Sequence, residues 1–225
     1  MNGLPDETLL FKTMDTTWPA AETHSKGPWT LRLGLGGGKR VSAATSDQVV
    51  DETDIDAAEI AMEKMGQKAI FMLRGHNHSL DGLLVERGYR IVDPVLIYVA
   101  SASALAQYST DPHDAIPCVD PLALMREVWA NGGITEPRLN VMARAPGPKT
   151  HLFSRHDQTP AGVGFVAIDN DIAMLHALEV TPGLRRQGIA RKMMGGAAKW
   201  AVNQGAEFIS VVVTSSHRRT GSPSP

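Results

Sequence analysis

The sequence predicts a mixed α/β (α+β) fold around a mixed sheet, and three observations carry that expectation. Period-two apolar alternation marks strands, as in Trp29 to Leu33. Apolar residues at three- and four-residue spacing mark helices, as at Ile55, Ala58, Ala61, Met62 and Met65. The two patterns alternate along the chain, most clearly after Thr150.

In order, Trp29 to Leu33 reads as a half-buried strand. The glycine cluster Gly34 to Gly38 interrupts it, and Arg40 to Ala44 resumes an extended course. Asp51 to Met65 is a helix that starts in acidic residues, favourable at the positive end of the helix dipole, and stops before Gly66. Ala69 to Leu73 is a short strand, and Ser79 caps a helix closed by Gly88. Tyr89 to Ala100 is a strand with a bend at Asp93-Pro94. Ser101 to Asp120 is polar, holds Pro112 and Pro117, and reads as a linker.

After it, Pro121 to Ala130 and Arg138 to Ala145 are short helices. Thr150 to Ser154 and Gly162 to Ile168 are strands joined by a turn, and Asp169-Asn170-Asp171 turns the chain again. Ile172 to Val180 is a strand, Ile189 to Gln204 a helix, and Glu207 to Thr214 a strand.

Composition narrows the classes of function without choosing one. The net charge of −2 comes from interspersed charges, so there is no basic field for a nucleic acid. No apolar run approaches the roughly 20 residues of a membrane span. Met1 to Glu7 lacks the order of a signal peptide, and the single cysteine, Cys118, fits a reducing compartment. Together these lead to an expectation of a cytoplasmic protein.

Chemistry concentrates in the stretch Leu178-Glu179-Val180-Thr181-Pro182-Gly183-Leu184-Arg185-Arg186-Gln187-Gly188-Ile189-Ala190. A strand runs into a short loop, and a helix opens directly after Gly188. The first N–H groups of a helix lack internal acceptors, and the helix dipole adds positive charge there, so that end suits a diphosphate. Gly188 permits close approach of a ligand to the backbone, and Arg185 and Arg186 add fixed positive charge.

This stretch resembles the acetyl-CoA signature of the GNAT superfamily of N-acetyltransferases, Arg/Gln-x-x-Gly-x-Gly/Ala. Arg185, Gly188 and Ala190 fill its three fixed positions. The apolar strand before it and the Val-rich strand after the helix agree as well. The resemblance implies a GNAT-like acyl-CoA N-acyltransferase fold and direct transfer of acetyl from acetyl-CoA to an amine, with no metal. Backbone N–H groups of Arg186, Gln187, Gly188, Ile189 and Ala190 would hold the pyrophosphate. Leu178 to Val180 would pair with the pantetheine arm as another strand does. The acceptor would be a small-molecule, peptide or protein amine. Glu179 is the candidate base, with His176 three residues earlier expected on the opposite face.

More weakly, Trp29-Thr30-Leu31-Arg32 and Arg40-Val41-Ser42 resemble the N-terminal module of tandem members of the family. Residues 1–105 would then be a degenerate half and 106–214 the cofactor-binding domain. Leu84 stands where that module's motif has its tyrosine.

The family's Leu-Tyr-x-x-x-Gly-Phe motif, whose tyrosine the resemblance implies as the acid for the thiolate, does not follow Val213-Thr214. Instead comes Ser215 to Pro225, which is expected to be disordered, the ending of a truncated or frameshifted chain. Apolar surface left bare would favour self-association, so a homodimer stays open. The reading from another class is a non-catalytic acyl-CoA-binding sensor. Gly34 to Lys39 lacks the spacing and the Ser/Thr of a phosphate loop and is read as a turn. His76 with His78 lacks a third metal ligand, and Cys118 near His113 lacks further support as a nucleophile.

Overall fold

A computed structural model describes residues 3–215 apart from 76 and 110. Its first element has no counterpart in the sequence expectation. The Asp6 carboxylate accepts from the Leu9 N–H at 2.8 Å and caps helix α1 (Glu7–Thr17), whose buried face is Leu10, Thr13, Met14 and Thr17. Half of that face is polar, so the apolar periodicity that marks the other helices is faint here. A hairpin follows, of β1 (Glu22–Lys26) and β2 (Trp29–Leu33), paired from Glu22↔Leu33 to Lys26↔Trp29.

The glycine cluster serves close approach. A side chain at Gly37 would meet Val141 Cγ2 at 2.5 Å, and one at Gly36 would press on Pro137 at 3.3 Å. The extended course expected from Arg40 is a short 3-10 turn, Lys39–Val41, entered through Gly38 at φ 110°. Helix α2 (Glu52–Lys64) opens on a reciprocal Asp51–Asp54 capping box, and α3 (His78–Glu86) is capped by Asn77. Between them the expected strand shrinks to one bridge, Ala44↔Phe71.

The expected strand from Tyr89 begins only at Val95. It is β3 (Val95–Ser101), and Asp93 (φ 49°) turns the chain just ahead of it. The expected linker is structured. Within it lie α4 (Ala102–Ala106), a 3-10 turn at Pro112–Asp114 and β4 (Ile116–Cys118). Then come α5 (Ala123–Asn131), α6 (Glu136–Arg144), β5 (Lys149–His156), β6 (Thr159–Asp169), β7 (Ile172–Val180), α7 (Ile189–Asn203) and β8 (Phe208–Thr214).

The main sheet is six-stranded and mixed, in the order β3-β8-β7-β6-β5-β4. Only β7 and β8 are parallel, joined by α7 as the crossover. The outer neighbour of β8 is β3, antiparallel from Val95↔Thr214 to Ser101↔Phe208, so a strand from the first half of the chain completes this sheet. One sheet face packs Val166, Ala173 and Leu175 against Ile189, Met193 and Ala197 of α7. The other packs Phe153, Val163 and Phe165 against Trp129, Val141, Met142 and Trp18. Ser216 to Pro225, the expected disordered tail after Ser215, lies outside the described residues.

Helix α7 is clamped to the segment after α4. A Cβ on Gly195 would lie 2.6 Å from the Ser109 nitrogen and 2.8 Å from the Tyr108 carbonyl carbon, backbone atoms with little freedom to yield. We therefore expect Gly195→Ala to lower stability by about 1–3 kcal/mol despite its better helix propensity. Urea unfolding of the two proteins measures the difference; an unchanged midpoint would contradict this packing.

Candidate active site

The loop between β7 and α7 is pinned at its base. Thr181 donates its N–H to the Ala161 carbonyl at 3.0 Å and its hydroxyl to the Pro160 carbonyl at 2.9 Å. A 3-10 turn at Pro182–Leu184 follows, and Gln187 Nε2 donates to the Gly183 carbonyl at 3.2 Å. Arg186 (φ 65°) and Gly188 (φ 83°) both adopt left-handed backbone. Gly188 is the N-cap of α7, and no side chain caps the helix there. The opening N–H groups of α7 are thus left for an external acceptor, at an end where residues 185–188 are exposed.

Beside this loop the parallel strands part. β7 pairs with β8 only from Ile172↔Phe208 to Leu175↔Val211. Ala177 to Val180 therefore have no ladder partner on the β8 side, which leaves this edge of β7 unpaired from mid-sheet to the loop before α7. The other edge of β7 stays paired to β6, with a register shift: four residues of β7, from His176 to Glu179, stand opposite three of β6, from Phe165 to Val163. Ala177 (φ 50°) takes up the extra residue, and its carbonyl accepts from Trp129 Nε1 at 2.8 Å.

The bulge corrects one expectation. In a regular strand His176 and Glu179 point to opposite faces. The extra residue instead sets them opposite Phe165 and Val163, two residues that share a face. Glu179 abuts the turn between α5 and α6, where a Cβ on Gly132 would meet its Oε2 at 2.6 Å. Its Oε1 accepts from Arg185 Nη2 at 2.6 Å, while Arg185 Nε donates to the Val180 carbonyl at 3.1 Å. Arg185 is therefore folded back on the end of β7, while Arg186 is exposed in the loop.

His176 sits deeper, 5.0 Å from Trp18 between ring centroids. Thr17 Oγ1 lies 2.9 Å from its Nε2 and 2.6 Å from the Thr13 carbonyl. The one hydroxyl hydrogen goes to that carbonyl, so the oxygen accepts from Nε2–H and the ring is the neutral Nε2–H tautomer. Burial first, and the Arg40 charge second, hold His176 well below the usual imidazole range. An unfolded chain would bind a proton at this position below about pH 6.5, while the folded one refuses it. Stability contributed here is thus complete above pH 6.5 and declines as pH falls. We expect wild type to lose up to about 1.4 kcal/mol per pH unit more than His176→Gln between pH 6.5 and 5. Parallel curves in thermal unfolding against pH would contradict a buried neutral ring.

Sequence reasoning missed Thr17, Trp18 and Trp129, which close over the bulge. The signal for the bulge was present: Gly162 and Gly164 interrupt β6 opposite it, and a glycine in a strand interior often marks such a place. Cys118 lies in β4 with its thiol near the Ile116 carbonyl, and burial pushes that thiol up, away from nucleophilic use. Among the described residues no group of three or more His, Cys, Asp or Glu is placed to hold a metal ion. Nor is any described helix long and apolar enough to cross a membrane.

Comparison with known proteins bears on the same segment. Residues 121–221 match the model of the Acetyltransferase (GNAT) family. A GCN5-related N-acetyltransferase from Kribbella flavida shares the fold with a TM-score of 0.61 at 16% identity, covering 96% of this chain and 90% of that one. A conserved protein of unknown function from Staphylococcus epidermidis does so with a TM-score of 0.65 at 12% identity, covering 92% and 88%. No curated protein matches. Residues 121–221 are thus similar to a GNAT acetyltransferase domain, within a mixed α/β fold of GNAT-like form.

Proposed function

We propose that the protein transfers an acetyl group from acetyl-CoA directly to an amine. The observation that carries this reading is the uncapped start of α7 at Gly188, next to the stretch of β7 that β8 leaves unpaired. The pyrophosphate would rest on the N–H groups of Arg186, Gln187, Gly188, Ile189 and Ala190. The pantetheine arm would extend along Leu178 to Val180, whose free backbone groups can form ladder hydrogen bonds with an amide-bearing chain. Arg185, held by Glu179 and Val180, would lend its charge from the rim.

An arm laid there brings the thioester towards the bulge at Ala177, with the acceptor amine arriving from the face of α5 and α6. Glu179 stands on that face beside Gly132, partly exposed, and is our candidate for taking the amine proton as the nitrogen attacks the carbonyl carbon. Loss of that proton and departure of the CoA thiolate complete the transfer without an acyl-enzyme. The first half of the chain, read as a degenerate GNAT-like half, would shape the acceptor side through α1 and the glycine loop. The activity would belong to the cytoplasm.

Calorimetry with acetyl-CoA, followed by thiol release over a panel of amines, tests the reading. Binding with turnover supports it. Binding with no turnover of small, peptide or protein amines favours a non-catalytic acyl-CoA sensor, and no binding removes both.

A further inference from the structure

Arg40 is a partly buried cation that makes no ion pair among the described residues. Its Nη1 has no hydrogen-bond partner among the described residues, and the nearby carboxylate is already taken. That carboxylate, Asp15, accepts from Arg32 Nη2 at 2.9 Å and from Arg74 Nη2 at 2.7 and 2.8 Å. Arg138, at the start of α6, adds a further positive charge close enough to be felt by Arg40. Burial, then the Arg138 charge, push Arg40 down to about 10, against the pull of Asp15; it is still charged at neutral pH. On the buried face of α1, one turn before Thr17, Thr13 Oγ1 also has no partner among the described residues.

The place matters as much as the imbalance. Val41, the next residue, packs with Trp18 and Phe165 on the sheet face opposite α7, the two rings that flank His176 just before the bulge. On the reading above, that is the acceptor's side. A buried guanidinium left without an anion is costly, whereas one that meets a carboxylate or phosphate gains paired, charge-assisted hydrogen bonds.

We propose that Arg40 binds an anionic group, a carboxylate or phosphate, carried by the acceptor, so that the substrates are amines with a negative charge elsewhere in the molecule. This rests on the acetyltransferase reading and deepens it. The neutral state of His176 suits the site, because that ring adds no charge and leaves Arg40 to recognise the anion.

The test uses the full chain saturated with CoA, which occupies the diphosphate site and keeps added anions from it. Calorimetry then compares matched amines: β-alanine with β-alaninamide, and phosphoethanolamine with ethanolamine. The anionic member of at least one pair should bind about ten- to a hundredfold more tightly. Which pair shows the preference separates a carboxylate from a phosphate. Arg40→Gln should remove the preference and Arg40→Lys should restore part of it, while CoA affinity reports that each variant is folded. Equal affinity within both pairs, weak binding of all four included, overturns the proposal in wild type alone, even where Arg40→Gln does not fold. A preference that survives in Arg40→Gln also overturns it. Failure to bind CoA at all instead sinks the acetyltransferase reading, and this inference with it.

Discussion

Gly188→Asp will lower the affinity for acetyl-CoA at least tenfold while leaving the fold in place. The position is exposed, and a Cβ added to Gly188 meets nothing within 4 Å, so no steric clash follows. Its φ of 83° falls in the left-handed region, which Asp and Asn tolerate better than other side chains. A carboxylate at the start of α7 also interacts favourably with the helix dipole, by roughly 0.3–1 kcal/mol, offsetting part of the backbone cost. Net stability should therefore move by no more than about 1 kcal/mol. For a diphosphate the same carboxylate is a like charge at close range. Repulsion of about 1.4–2.8 kcal/mol is expected, within the span between solvent-like and surface-like dielectric, or roughly ten- to a hundredfold in binding. Gly188→Asn has the same shape without the charge, and it should keep most of the affinity. Calorimetry with acetyl-CoA on the three proteins checks this. If the aspartate variant binds as tightly as wild type, the diphosphate is not at the start of α7.

That loop was legible because its requirements are local. A strand, a left-handed glycine and an uncapped helix leave their mark on adjacent residues, and Arg185, Gly188 and Ala190 stand at fixed spacing. The sheet from β5 to β8 was legible for the same reason, since alternation and turn residues report each strand separately. Other features depend on distant partners. Helix α1 places Thr13 and Thr17 on its buried face because His176 and the sheet lie there, and a polar buried face carries no apolar period. The polar segment from Ser101 to Asp120 reads as a linker, yet Ala102 is buried in the α7 core and Asp114 pairs with Lys192 at 3.3 Å. β3 reads as the end of the first half but finds its partner in β8, more than a hundred residues later. Trp129, too, is an ordinary core residue in sequence, and only the fold brings its Nε1 to the Ala177 carbonyl.

The bulge also decides which catalytic experiment is informative. Because His176 and Glu179 share the sheet face opposite α7, facing alone no longer separates them; access and pairing do. His176 is closed over by Thr17 and Trp18, whereas the Glu179 side chain keeps 19% of its surface in contact with solvent. Glu179→Gln keeps the shape beside Gly132 and the contact to Arg185 but cannot take a proton. It should lower kcat by about 10²–10⁴, with KM for acetyl-CoA changed far less. His176→Gln should instead act through structure, lowering stability near neutral pH while kcat stays within about tenfold of wild type, the low end of a general-base effect being nearer a hundredfold. Steady-state kinetics across pH, with unfolding midpoints beside them, separate the two roles. Should Glu179→Gln keep its turnover while His176→Gln loses it, the base is the buried imidazole, and the acceptor must then reach beneath Trp18 to meet it.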